Sequence, residues 1–166
     1  QTCALPISSV ASGWGIFSVP SFITHSTLNT PDADAFKGDM LPGAPMDDAP
    51  MQRNGQDVWL IDQLGNTFQC LVFVEQVAQL DASTLAALRA LDAAAIPVKP
   101  LIISRQAGSI DGVPVLHDTQ GLFAKRYDAQ PGSVWLARPD QHVVARWRHF
   151  NSTAIQTALR RATANA

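Results

Sequence analysis

An α/β fold is predicted for this chain from three observations. Phe68 to Val74 and Val98 to Ser104 are apolar runs of strand length, and the segment between them carries leucines at helical spacing. Farther on, Val134 and Leu136, then Val143, Ala145 and Trp147, alternate on either side of Arg138-Pro139-Asp140-Gln141, the pattern of a hairpin. Finally, Ile155, Ala158, Leu159 and Ala162 share one helical face after Asn151-Ser152.

Taken in order, Ser8 to about Pro50 lacks long periodic runs and repeats Pro, Gly, Asp and Ser. It is expected to be an extended lead-in lying over a surface and ordered by a partner domain. Val19 and Phe22-Ile23 are its candidate packing residues, and Phe17 could equally belong to a fraying helix. Val58-Trp59-Leu60-Ile61 is expected as a short strand or edge segment, and Gln63 to Asn66 as a turn. The unbroken run Phe68 to Val74 reads as a buried parallel strand. Asp81 stands at an N-cap position, Leu85, Leu88 and Leu91 then face the core, and Pro97 ends the helix before the strand Val98 to Ser104. That strand-helix-strand unit should be right-handed. Leu122, Phe123 and Tyr127 recur at helical spacing, Pro131-Gly132 stops the helix, and two half-buried hairpin strands follow. Asn151 or Ser152 caps the last helix, where Arg160-Arg161 complement the negative end of the dipole.

The stretch from Asp118 to Trp147 also carries a recognisable order of short motifs: Asp118, Gly121, Leu122, Ala124, Arg126-Tyr127, Ala129, Pro131-Gly132, Leu136, Arg138-Pro139-Asp140, Val143 and Arg146-Trp147. Upstream, Leu28-Asn29-Thr30-Pro31-Asp32, Pro42-Gly43-Ala44, Asp48-Ala49-Pro50 and Leu64-Gly65 continue it. In this order and spacing the chain resembles the C-terminal thioredoxin-like domain of FAD-dependent aromatic-ring monooxygenases, the phenol hydroxylase and 3-(3-hydroxyphenyl)propionate hydroxylase group. Each motif is weak alone; the shared order over more than a hundred residues gives the resemblance its specificity. It implies a thioredoxin-like domain over residues 51–166, with residues 1–50 as the connector from a preceding FAD-binding domain. It also implies a parent enzyme that uses NAD(P)H and FAD to hydroxylate a phenolic ring, with this segment inactive by itself. The alternative is a free-standing thioredoxin-fold interaction module without redox activity.

Gln1 to Ile7 has no initiator Met and no structural period, and resembles a translated sequencing-adapter tail; a processed mature N-terminus is the alternative. Cys3 is therefore set aside. The nearest glycine-rich run, Gly13-Trp14-Gly15, lacks the third glycine of a dinucleotide turn and a buried strand before it, so no FAD site is expected here.

Charge excludes other classes. Twelve basic and fourteen acidic residues give a net charge of −2 without blocks of one sign, which argues against nucleic acid or an anionic membrane as partner. No apolar run approaches the roughly 18 residues of a membrane span. Two cysteines make no disulfide framework and fit a reducing cytoplasm.

Catalytic constellations are sparse. A working thioredoxin would place Cys-x-x-Cys where Glu75 to Leu80 stands, and the nearby Cys70 reads as a buried structural thiol. His25, His117, His142 and His149 are scattered without metal-ligand spacing, so no metal is expected. Ser133, His117 and Asp118 could be drawn as a triad, but no nucleophile elbow accompanies them. Asp47-Asp48 reads as an ordinary turn. The remaining candidates, Arg138, Asp140, Arg146 and Trp147, stand in two polar-aromatic clusters, Arg138-Pro139-Asp140 and Arg146-Trp147-Arg148, which could form an interdomain or dimer contact or else brace the hairpin. An arginine there is expected to stack on Trp135 or Trp147 and to pair with Asp140, and Arg126-Tyr127 to tie the preceding helix to the hairpin.

Overall fold

The structure, a computed structural model, describes residues 21–165. The expectations placed on Gln1 to Ile7, on Gly13-Trp14-Gly15, and on Phe17 and Val19 lie outside the described residues.

A short hairpin opens the folded part: β1 (Pro50–Arg53) and β2 (Gln56–Trp59). Between them Asn54 and Gly55 both take positive φ, the backbone that a tight two-residue hairpin turn requires. A single helical turn, α1 (Leu60–Gln63), follows, then β3 (Phe68–Val74), a 3₁₀ turn (Val77–Gln79), α2 (Ala82–Asp92) and β4 (Val98–Ser104). The chain continues through β5 (Val115–His117), α3 (Leu122–Arg126), β6 (Val134–Ala137), β7 (Val143–Trp147) and α4 (Ser152–Ala162). The seven strands form one mixed sheet in the order β2-β1-β5-β4-β3-β6-β7. Strands β3, β4 and β5 run parallel, while the hairpins at either side pair antiparallel. This is the α/β, thioredoxin-like architecture expected from the sequence.

The apolar runs are unbroken because both sheet faces are covered. Along β3, Leu71 and Phe73 enter one core cluster while Cys70, Val72 and Val74 enter the other. The first holds Phe123, Tyr127 and Trp135; the second is closed by Leu88 and Leu91 of α2 and by Ile155, Ala158 and Leu159 of α4. The same two layers correct the hairpin expectation. All of β6 and the first four residues of β7 are buried, not alternately exposed.

Helix ends follow the sequence closely. The Asp81 carboxylate accepts from the Thr84 amide at 2.6 Å, and Asn151 Oδ1 accepts from Ala154 at 3.0 Å. By contrast, Leu60 and Ile61 are not strand. The Leu60 amide donates to Ala49 O and the Ile61 amide to Asp48 Oδ1, which turns the chain into α1 as soon as β2 ends. Strands β1 and β5 have only four and three residues, too few to show a period in the sequence.

Residues 21–49 depart most from expectation. Met40, Ala44, Met46 and Ala49 are buried in the first core cluster, so this lead-in supplies part of the domain's interior as well as covering it. It runs out along β7, from Ser21 beside His142 to Thr30, whose amide donates to Val144 O. It then returns along the strand: Gly43 donates to Val143 O, Val143 donates to Ala44 O, Pro45 bridges His142, and Met46 donates to Gln141 O. Gly43 is required at the crossing. Its φ is +90°, and a Cβ there would stand 2.6 Å from the backbone of Ile23 in the outgoing layer.

Candidate functional site

The position of a thioredoxin redox centre comes first. β3 leaves the sheet at Val74, and Glu75 to Leu80 carries the chain to α2 with no thiol in it. Instead Gln79 Oε1 accepts from the amides of Glu75 and Gln76, closing the 3₁₀ turn. Cys70 lies within β3 with no exposed surface, and burial pushes its thiol up to about 12. A thiolate is the reactive form of cysteine, so this residue is inert at neutral pH.

The same loop fits a dinucleotide no better. It holds no glycine, and the N-terminus of α2 is already occupied by the Asp81 carboxylate. Its hydrogen bond from Thr84, aided by Ser83, holds that carboxyl below its usual range. A negative charge stands where a pyrophosphate would need free amides.

Other drawn constellations dissolve into local structure. Asp118, fully buried, accepts from the amides of Phe123 and Ala124 at the start of α3 and lies 3.5 Å from Arg105 Nη1. His117 Nε2 faces Arg105 O, and Ser133 Oγ accepts from the Gln130 amide, so each of the three side chains is engaged outside the drawn triad. Among the described residues, no three His, Cys, Asp or Glu side chains are grouped so as to hold a metal ion. Asp48 Oδ1 accepts from Ala49 and Ile61, setting the turn into the domain.

Arg146 in β7 and Arg148 just past its end form the most developed polar arrangement. Arg146 is 5% exposed; its Nε and Nη2 grip both oxygens of Asp32, at 2.7 to 3.1 Å, and its Nη1 donates to Met40 O at 2.9 Å. Two residues on, Arg148 donates to Ala35 O and pairs with Asp128, while its own amide donates to Asp34. The two guanidiniums lie over the Phe36 ring, with Cζ to centroid distances of 4.6 and 3.7 Å. The ring in turn meets Trp135 edge-on, at 5.9 Å. Cation-π contact and bidentate pairing thus fasten the lead-in to the hairpin.

Of the four residues picked from sequence, the structure brings two together as expected: Arg138 Nη2 and Asp140 Oδ2 pair at 2.6 Å, on the exposed β6–β7 turn. Arg146 pairs with Asp32 in place of Asp140 and stacks on Phe36 in place of a tryptophan. Trp147 is half-buried against the second core cluster. Arg126 and Tyr127 also differ from expectation. Arg126 donates to Asp48 O and the Tyr127 hydroxyl to Asp47 O at 2.6 Å, so they hold the start of the domain; only the Tyr127 ring meets the hairpin, edge-on to Trp135. Burial and the nearby Asp47 and Asp48 push the Tyr127 phenol well above its ordinary value.

Phe36 and Asp128 were not singled out from sequence, and Asp32 and Arg148 stood there only within a motif and a cluster, not as partners of these groups. The available signal was Arg146 and Arg148, two apart at the end of the second hairpin strand, together with the acids Asp32 and Asp34 in the lead-in. Toward the opposite sheet edge, a cleft of about 450 Å³ lies between β2 and α3, lined by Met51, Val58, Trp59, Leu122 and Arg126 among others.

Comparison with known proteins accords with this picture. The flavin-dependent monooxygenase PieE, solved with FAD and substrate, superposes with a TM-score of 0.63 at 20% identity, covering 84% of this chain and 24% of that one. Aklavinone-11 hydroxylase, solved with FAD and aklavinone, gives 0.62 at 23% identity, covering 82% and 25%. The thiol peroxidase from Chromobacterium violaceum gives 0.62 at 17% identity, covering 76% and 90%. At these identities the likeness is one of fold, and the chain spans about a quarter of the two flavoenzymes. Among curated proteins none gives a significant match. One family model does match, over residues 50–162, and by it the chain belongs to the HcaD C-terminal domain family.

Proposed function

We propose that this chain is the noncatalytic C-terminal domain of an FAD-dependent, NAD(P)H-using monooxygenase that hydroxylates phenolic or related aromatic compounds in the cytoplasm. The observation that carries this reading is a thioredoxin-like fold whose redox position is closed. The loop before α2 has no thiol, and the single described cysteine is sealed in a strand. A fold kept without its own chemistry fits a bracing element, and two solved flavoenzymes contain a stretch of this shape. In the parent, flavin would supply the oxygen chemistry while the protein orients substrate and excludes water. This domain would brace the flavin domain and contribute to contacts between subunits, through residues such as Arg138 and Asp140.

One observation favours a second reading. The match to a thiol peroxidase covers 90% of that protein, so the fold also exists without a flavin partner. A free-standing interaction module without redox activity is the alternative.

Reading the source DNA upstream of the Gln1 codon, and expressing the whole in-frame product, separates the two. A yellow product that holds FAD and consumes NAD(P)H with a phenol supports the flavoenzyme reading. A stop codon close upstream, or a colourless longer product, overturns it.

A further inference from the structure

Two backbone carbonyls face the ring of His142, one at each nitrogen. Nδ1 lies 3.0 Å from Asp140 O and Nε2 lies 3.1 Å from Ser21 O. A carbonyl oxygen only accepts, so each contact is a hydrogen bond only while the facing nitrogen carries a proton. Neutral imidazole has one N–H and one lone pair, whereas imidazolium has two N–H groups. A neutral His142 would therefore set a lone pair against one carbonyl or the other, whichever tautomer it took. Charge beside the ring suits the cation: Asp140 Oδ1 is 3.4 Å from Nδ1, and the other oxygen of that carboxylate pairs with Arg138 Nη2 at 2.6 Å. The outgoing lead-in meets the ring through the Ser21 carbonyl, and the returning lead-in crosses at Pro45, which carries no charge. The backbone beneath the ring is held on both sides, since His142 O accepts from the Arg138 amide at 2.8 Å and the residue bridges Pro45.

We infer that His142 is a pH-sensitive clasp, which as an imidazolium ties the lead-in at Ser21 to the β6–β7 turn and on losing a proton lets that carbonyl go. Ser21 O is the one released because Asp140 is only two residues away on the same turn, so its contact costs little chain entropy to keep. A clasp that needs the charged ring is closed at the acid end of histidine's range and opens as pH rises through it, roughly from pH 5 to 8. Opening stops at Ile23, whose amide donates to Gly43 O at 2.7 Å and whose carbonyl accepts from Asn29 Nδ2 at 2.8 Å, contacts without a titratable group. The device is independent of the flavoenzyme reading and stands or falls without it.

Nitrogen-15 NMR and amide exchange on the 166-residue chain test this. Between about pH 5.5 and 8 the His142 ring should pass from imidazolium to the tautomer protonated at Nδ1, the form that keeps Asp140 O and frees Ser21 O. Over the same range, protection of the Ile23 amide, corrected for the intrinsic pH dependence of exchange, should fall roughly three- to tenfold, the span expected for one hydrogen bond. The amides of Thr30 and Met46, bonded farther along the lead-in, should not change with it. His142→Gln, which gains no charge, should abolish the step at Ile23, and His25→Gln, the other histidine of the lead-in, should leave it. A step that survives His142→Gln, or a ring that titrates with no change at Ile23, overturns the inference. So does a neutral ring protonated at Nε2, a result read on the unsubstituted chain even where His142→Gln does not fold.

Discussion

The two edges of this sheet are handled in opposite ways. At β7 the outer backbone groups are met by the returning lead-in, and Arg146 and Arg148 then fasten that cover through Asp32, Asp34 and Phe36. At β2 nothing among the described residues pairs with the outer side: the strand has four residues, three of them exposed, and carries Asp57. An open edge is a template for unwanted pairing, and short length with charge blunts it, while covering removes it. The difference shows where this domain invests its polar side chains. β7 borders the large core and its cover contributes Met40, Ala44 and Met46 to that core, so losing the cover would open the interior. Losing β2 would expose far less.

The largest break in this asymmetry should come from Arg146→Ala. It strips Asp32 and Met40 O of their donors where the guanidinium was buried, and Asp32 keeps some exposure, so the cost should fall near the lower end for a broken buried pair, about 3 kcal/mol. Urea unfolding would measure it, and exchange at 43–46 should rise with it. A loss below about 1 kcal/mol would mean that the clasp is decorative.

A matched pair of glycine substitutions sharpens the comparison. Gly43 and Gly55 both have positive φ, +90° and +79°, but a Cβ at Gly43 meets the Ile23 backbone at 2.6 Å while at Gly55 it meets nothing within 4 Å. Gly43→Ala should cost about 2 kcal/mol from strain and displacement of the outgoing layer. Gly55→Ala should cost about 1 kcal/mol, from backbone alone. Equal thermal shifts for the two variants would contradict the picture of one covered and one open edge.

The smallest effect concerns acid. The Lys37 amide, followed by the Arg148 guanidinium, holds the Asp128 carboxyl below its ordinary value. A folded value below the unfolded one, about 3.9, means that Asp128 adds stability above that pH and loses it as pH falls through the folded value. Amides near Phe36 and Lys37 should therefore lose protection below about pH 4 before those of β2 do, and Asp128→Asn should abolish the difference. An unchanged acid profile in that variant would assign the step to another group.

Legibility in the sequence divides along the same line. The strands Phe68–Val74 and Val98–Ser104 and both capped helices were readable because local pattern and tertiary burial agree there. The lead-in was not, since Met40, Ala44, Met46 and Ala49 have no period and reach the core only because the chain doubles back along β7. At the candidate site, Arg138 with Asp140 was legible as a local pair. Arg146 with Asp32 was not, for the two are 114 positions apart and nothing local prefers Asp32 to Asp140.

By itself the sequence determined the layered α/β plan, the caps of α2 and α4, the sealing of Cys70 and the lack of a thiol before α2. Each depends on residue type and short spacing, which fix local hydrogen bonds and which side of an element is apolar. Tertiary structure alone decided that the lead-in belongs to the core, that Arg146 and Arg148 turn inward to hold it, and that the two sheet edges differ. Those outcomes depend on which distant segments meet, where burial makes a bidentate pair and an aromatic stack worth more than the water they displace.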